Sequence, residues 1–345
     1  MNRFAQPEIN ALDLDTLLPH GGRLRQAAAR YRIPLADWLD LSTGINPQGW
    51  TLSWSGATEP GWWSRLPEDD DGLEQAAACY YGTRHLLPVA GTQAAIQALP
   101  RLRAPGRVGV IAPGYGEHAR AWALAGHRVT PLAVEAIESA LPNLDVLVLI
   151  HPNNPTGARF LRADLLRWHD LLAARGGWLL VDEAFMDTTP GKSLAAVCPR
   201  PGLILLRSLG KFFGLAGARV GFVLADAAVT QPLAALLGPW TIAAPSRWIA
   251  TQALADTPWQ LAAQTRLVAA GGRLADLLRG HGVPPQGGCA LFQWVPTDRA
   301  PAIHESLARA GILTRLFDNP PAVRFGLPGT EAEWTRLEAA LNALA

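Results

Sequence analysis

The sequence predicts an α/β protein in which a mostly parallel central sheet is sandwiched by helices and followed by a smaller α+β unit. Three observations in its 345 residues carry that reading. Short, continuously apolar runs recur through the middle of the chain, as in strands covered on both faces. Helical patterns with apolar positions three to four apart separate these runs. From about Trp259 the character changes to long Ala/Leu/Arg helices flanking brief strands.

In chain order, Val108-Gly109-Val110-Ile111 predicts a strand, residues 117–125 a helix, Val146-Leu147-Val148-Leu149-Ile150 a strand and residues 162–174 a helix. Trp178-Leu179-Leu180-Val181, Leu203-Ile204-Leu205-Leu206 and Val220-Gly221-Phe222-Val223 predict further strands. In the carboxyl-terminal part, helices are expected over 260–279, 300–310 and 331–344. Strands are expected at Leu291-Phe292-Gln293-Trp294 and Ala322-Val323-Arg324-Phe325. No internal repeat is visible, and the Gly and Pro content is that of a loop-rich enzyme.

Composition narrows the function classes. The length exceeds what one core usually organises, and 49% hydrophobic residues suffice for two packed domains. A net charge of +1 without a basic stripe argues against nucleic acid as a partner. Cys79, Cys198 and Cys289 are odd in number and widely spaced, which predicts buried reduced thiols rather than a disulfide framework or a metal centre. The segment Met1 to Glu8 lacks an apolar signal core. No apolar run approaches the roughly 18 residues of a membrane span, so a cytoplasmic protein without membrane partners is expected. The 13 tryptophans are scattered, as in cores or interfaces.

Lysine occurs only at Lys192 and Lys211, while arginine supplies the other 28 basic side chains. A guanidinium stays protonated, whereas a desolvated ammonium can lose its proton and attack a carbonyl. Biased codon usage is the competing explanation for the scarcity. Lys211, however, lies in Arg207-Ser208-Leu209-Gly210-Lys211, after an apolar strand and before Gly214, Gly217 and Arg219. That places an amine in a loop where backbone can approach a ligand closely.

Ligands of open α/β sheets bind outside the carboxyl ends of the strands. Four such ends carry polar residues: Pro113-Gly114-Tyr115 after Ile111; His151-Pro152-Asn153-Asn154-Pro155-Thr156-Gly157 after Ile150; Asp182-Glu183-Ala184-Phe185 after Val181; and the Ser208/Lys211 loop after Leu206. Asn154 to Asp182 is 28 residues and Asp182 to Lys211 is 29, each close to one strand-helix-strand unit, so the three can line one rim. Each signal alone has an ordinary competitor, since Asn-Pro-Thr-Gly is a common turn and a strand-end Asp often caps. Together, an amine, an acid, an amide and an aromatic suit pyridoxal phosphate. Gly91-Thr92-Gln93 at the start of the helical run 94–102, with Ser208 and Arg219, would receive the phosphate.

Over about residues 40 to 330 the chain resembles the aminotransferase class I/II group of fold-type-I pyridoxal-phosphate enzymes. His-Pro-Asn-Asn-Pro-Thr-Gly, Val-Asp-Glu-Ala-Phe and Ser-Leu-Gly-Lys-x7-Arg carry the resemblance. His20-Gly21-Gly22 and Leu39-Asp40-Leu41-Ser42-Thr43-Gly44-Ile45-Asn46-Pro47 are similar to the branch that decarboxylates L-threonine O-3-phosphate in cobalamin biosynthesis. The resemblance implies Lys211 as the lysine that holds pyridoxal 5'-phosphate covalently, Asp182 at the pyridine nitrogen, Asn154 at the ring oxygen and Tyr115 stacked on the ring. It implies Gly91, Thr92, Gln93, Ser208 and Arg219 around the cofactor phosphate, and Arg324 on the substrate carboxylate. His20, Gly21, Gly44, Asn154 and Arg315 are the remaining candidates for holding a small phosphorylated amino acid, although His20 also reads as a simple turn or cap residue. An arm over 1–40 closing on the small domain and active site, a cofactor-binding domain over 41–250, a small α+β domain over 251–345 and a homodimer complete the expectation. Trp62-Trp63 is the candidate for apolar interface surface.

Two positions depart from the group. Phe185 stands where many relatives have Tyr, and Arg65-Leu66-Pro67 replaces an Arg-Tyr-Pro segment whose hydroxyl reaches a neighbouring subunit's phosphate. The alternative within the group is transamination of histidinol phosphate with 2-oxoglutarate. A phosphate-binding NTPase, suggested by Gly191-Lys192-Ser193, lacks the required glycine at Met186 and has its acidic strand in the wrong order. A pyridoxal-dependent DNA-binding regulator has no room for its DNA module.

Overall fold

The computed structural model describes Leu18, residues 20–51 and residues 61–344. Expectations for residues 1–17 and 19, including the amino-terminal segment, lie outside these.

The apolar runs form the middle of a seven-stranded sheet. Its order is Leu86–Val89, Gly221–Leu224, Leu203–Ser208, Trp178–Asp182, Val146–Ile150, Arg107–Ile111, Arg128–Leu132. Neighbours from Leu203–Ser208 to Arg128–Leu132 are all parallel. Alternate side chains serve two layers. Leu147, Leu149, Leu179, Val181 and Leu205 enter the larger core, while Val146, Val148, Leu180, Ile204 and Leu206 enter the second core on the other face. Burial on both faces is why these strands read as continuous apolar runs.

The strand expected at 220–223 forms as Gly221–Leu224 and runs antiparallel to both neighbours. Residues 209–220 connect it to Leu203–Ser208 with only the short turn Ala216–Ala218 and no α-helix, whereas a parallel return usually crosses the sheet through a helix. Leu86–Val89 and Arg128–Leu132 did not stand out as strands because each contains a proline, Pro88 and Pro131. Both occupy the edges of the sheet, where a missing N–H is tolerated.

The long helix Thr257–Gly280 leads into a four-stranded antiparallel sheet ordered Arg315–Asp318, Pro321–Gly326, Phe292–Pro296, Gly287–Cys289. The expected break at residue 250 falls inside the helix Ala244–Ala255, whose buried Arg247 binds Asp71 and Glu74. The described part of the amino-terminal segment joins the carboxyl-terminal unit. Leu39–Asp40 pairs in parallel with Ile312–Leu313, and Ala27 and Trp38 pack against Ala308. Among the described residues no helix is long and apolar enough to cross a membrane, and no cluster of His, Cys, Asp and Glu could hold a metal.

Candidate active site

The chain builds Arg107–Ile111, continues outward to Arg128–Leu132, and then returns to place Val146–Ile150 on the other side of the first strand. That reversal opens a crevice at the carboxyl ends of the two strands. Tyr115 and Asn154 follow those ends, and Asn153 Nδ2 donates to the Pro113 carbonyl at 2.9 Å across the gap. Asp182 closes the next strand, in register with Ile150 and Leu206, and Ser208 closes the one after.

Asp182 is 5% exposed, and both carboxylate oxygens are engaged. Oδ1 accepts the Ala184 amide at 3.0 Å, and Oδ2 lies 3.0 Å from Nε2 of fully buried His118. Lys211 is partly buried, with Nζ 3.4 Å from the Thr43 carbonyl and 5.5 Å from the centre of the Phe185 ring. Burial, followed by the nearby Arg324 guanidinium, brings its ammonium down to about 8. The free-amine fraction near neutral pH is therefore raised far above that of an ordinary lysine, as attack on a carbonyl requires.

Gly91 has φ +73°, and a Cβ there would lie 2.6 Å from a guanidinium nitrogen of Arg219. The Arg219 side chain thus rests on the backbone where the helix Thr92–Ala98 begins, beside Gly221, whose own Cβ would meet the Thr92 amide nitrogen at 2.8 Å. The Gln93 side chain is held within the protein. Its Oε1 accepts from the Tyr115 hydroxyl at 3.1 Å, and its Nε2 donates to Glu117 at 3.1 Å, so its side chain already has partners at both ends. Tyr115 stays a neutral donor, because burial and the carboxylates of Glu117 and Asp182 raise its phenol to about 12.

Arg324 is 5% exposed. It donates to Asn154 Oδ1 and, at 2.6 Å, to the Ser42 carbonyl, while its buried Nε has no partner. Burial and the neighbouring Arg315 lower it to about 10, which leaves it a cation at neutral pH. Arg315 is its cross-strand partner. Gly44, at φ +63°, sits against Phe185 and Phe292, where a Cβ would be 3.4 Å from each ring. The His20-Gly21-Gly22 segment lies on Ser42: the Gly22 amide donates to Ser42 Oγ at 2.7 Å, and a Cβ on Gly21 would collide with the Ser42 carbonyl at 2.3 Å.

Other conspicuous residues are structural. Glu183, fully buried, pairs with Arg207 at 2.7 Å and accepts from Ser193. Lys192 is exposed on the turn Pro190–Lys192, and only the three-residue 3-10 turn Ala195–Val197 follows Ser193, with no α-helix N-terminus to hold a phosphate, so Gly191-Lys192-Ser193 is not a phosphate loop. His151 accepts the Phe160 amide at 3.3 Å, and burial lowers it to about 4, keeping it neutral. Sequence reasoning missed Glu117 and His118. The available signal was their place in the first turn of a helix, Gly116–Leu124, that begins at the carboxyl end of a strand beside Tyr115.

Pyridoxal phosphate fits this donor set. Asp182 can face a protonated ring nitrogen, and Lys211 offers an amine. The Thr92 end of a helix, with Ser208 and Arg219, supplies donors for a phosphate, and Tyr115 supplies a ring to cover the cofactor. Residues 37–341 match the aminotransferase class I and II family. The chain is 59% identical over 325 residues to threonine-phosphate decarboxylase of Pseudomonas aeruginosa, covering 94% of this chain and 97% of that one. It is 43% identical over 334 residues to threonine-phosphate decarboxylase of a Sinorhizobium species, covering 93% and 97%. In fold it matches histidinol-phosphate aminotransferase of Sinorhizobium meliloti in complex with pyridoxal-5'-phosphate, with a TM-score of 0.81 at 19% identity over 97% of this chain and 98% of that one.

Proposed function

The chain belongs to the aminotransferase class I and II family, and we propose that within it this enzyme converts L-threonine O-3-phosphate to carbon dioxide and (R)-1-amino-2-propanol O-2-phosphate. It is a pyridoxal-phosphate-dependent decarboxylase. The bound cofactor supplies the electron sink for the pair left on the α-carbon when the carboxylate departs.

Lys211 holds the cofactor and exchanges a proton near neutral pH. Asp182, held by His118 and the Ala184 amide, keeps a proton at the pyridine nitrogen. Thr92, Ser208 and Arg219 receive the cofactor phosphate, Tyr115 covers the ring, and Asn154 faces the ring oxygen. The observation that carries the substrate reading is the Arg315–Arg324 cross-strand pair: two cations on neighbouring strands suit a ligand with two anionic ends. Arg324 takes the carboxylate, and Arg315, with His20 and the Gly21 backbone, takes the substrate phosphate. The bond that breaks must stand perpendicular to the cofactor ring, so a phosphate fixed on one side can turn the carboxylate out of the ring plane. The fold likeness to an aminotransferase at 19% identity adds nothing for transamination.

We further infer a cytoplasmic homodimer serving cobalamin biosynthesis, with an amino-terminal arm over 1–40, a cofactor domain over 41–250 and a small domain over 251–345. Trp63, Leu66 and Trp240 are 78%, 62% and 60% exposed and offer apolar surface for a second copy. Comparing threonine with phosphothreonine tests the clamp. kcat/KM should favour the phosphorylated substrate by at least about 100-fold, because unpaired basic groups penalise a ligand lacking phosphate. Equal values would remove the substrate assignment.

A further inference from the structure

Glu117 is a carboxylate only 8% exposed, and none of the roles above uses it. It accepts from two sides. Oε1 lies 2.8 Å from His20 Nε2, and Oε2 accepts Gln93 Nε2 at 3.1 Å. Gln93 in turn accepts the Tyr115 hydroxyl, so one chain of hydrogen bonds runs Tyr115, Gln93, Glu117, His20. The His20 ring lies 5.8 Å from the Tyr115 ring. The same stretch of chain is held at neighbouring points: Leu18 packs on Gly116, where a Cβ would come within 3.0 Å of it, and Gly22 is bonded to Ser42.

A carboxyl this buried is costly without partners, and its partners among the described residues are His20 and Gln93. His20 itself is partly exposed, with a side chain 38% accessible, and among the described residues its ring is oriented by Glu117 and Tyr115. With Nε2 committed to Glu117, Nδ1 is the ring nitrogen left for a ligand. A carboxylate cannot itself bind a phosphate. Any effect of Glu117 on recognition of a phosphorylated substrate must therefore pass through the groups it orients.

We propose that Glu117 is a positioning residue that sets specificity for the phosphorylated substrate by fixing the His20 imidazole and tying it to Tyr115 through Gln93. The inference rests on the phosphothreonine reading and deepens it. Glu117→Gln should preserve the arrangement. If the oxygen of the substituted side chain faces His20, its amide can donate to Gln93, the Gln93 amide reverses, and the Tyr115 hydroxyl changes from donor to acceptor.

The test is a double-mutant cycle with pyridoxal phosphate-loaded protein, comparing wild type, Glu117→Ala, His20→Ala and the double variant for kcat and KM on phosphothreonine. Each single change should raise KM roughly tenfold, the size of one hydrogen bond, while kcat falls less than about threefold. The double variant should be no worse than the poorer single, and Glu117→Gln should stay within about threefold of wild type. Penalties that multiply in the double variant, or a Glu117→Gln as impaired as Glu117→Ala, would overturn the inference while leaving phosphothreonine turnover standing. Absence of turnover by the wild type would overturn the functional reading and this inference with it.

Discussion

Arg315 and Arg324 occupy the same rung of the antiparallel small sheet, and the charge of the first helps to lower the second. Like charges opposite one another on a sheet destabilise it, and an anionic ligand bound by both would offset that cost. Arg324→Lys keeps one charge but loses the planar fork. It should lower kcat/KM for phosphothreonine about 100-fold, or about 2.8 kcal/mol at 1.4 kcal/mol per decade. Arg315→Ala should act mainly on KM. Because Arg315 also lies 5.0 Å over the Phe317 ring, thermal unfolding of Arg315→Ala without substrate should change only slightly, far less than its KM, which separates a binding loss from a folding one.

Lys211 gives a pH signature. Its ammonium loses its proton near 8 in the folded protein, against 10.5 ordinarily. The rate at which cofactor-free protein captures pyridoxal phosphate should therefore rise with pH through about 8, followed by the absorbance of the bound cofactor. Between 8 and 10.5 the unfolded chain binds the extra proton, so stability of the cofactor-free protein should increase with pH across that window. Lys211→Met should abolish both capture and the Lys211 share of that increase. Removing the Arg324 charge should move the capture midpoint upward. If Lys192→Ala, rather than Lys211→Met, eliminated the borohydride-trapped adduct, the site would be misplaced.

Asp182 and His118 act as a unit at 3.0 Å. Asp182→Asn should still bind cofactor but lose at least about 100-fold in kcat, a loss on the scale of other electrostatic site residues. His118→Ala should lose roughly tenfold, on the scale of removing a hydrogen-bonded group that orients another. Near-normal kcat in Asp182→Asn, measured alongside a cofactor titration, would remove the role assigned to it.

The rim was legible in the chain because its residues sit at strand ends about one strand-helix-strand unit apart, a spacing that parallel connectivity imposes. The edge strands were not, since Pro88 and Pro131 break the apolar pattern without preventing an edge position. Nor was the His20–Glu117 contact, which joins residues 97 apart through tertiary packing alone. Gln93 reads as a phosphate donor from its place at a helix start. Only the structure reveals that Tyr115 and Glu117 already engage its side chain.

Glu183 and Arg207 should matter for stability rather than chemistry. Both are essentially buried, and removing Glu183 leaves Arg207 with Asp187 as its one remaining ion pair among the described residues and strips the Ser193 hydroxyl and the Leu194 amide of their acceptor. Glu183→Ala should cost about 3–5 kcal/mol in denaturant unfolding, whereas Lys192→Ala at its exposed turn should stay within about 0.5 kcal/mol. Similar losses in the two variants would contradict the assignment of Glu183 to the scaffold.

The reaction itself is tested most directly by mass spectrometry of products from two separate incubations of the cofactor-loaded enzyme, one with phosphothreonine alone and one with histidinol phosphate plus 2-oxoglutarate. The account predicts carbon dioxide and 1-amino-2-propanol O-2-phosphate in equal amounts from the first, over many turnovers without any oxo-acid, and no glutamate from the second. Glutamate from the second mixture, with no carbon dioxide from the first, would contradict it.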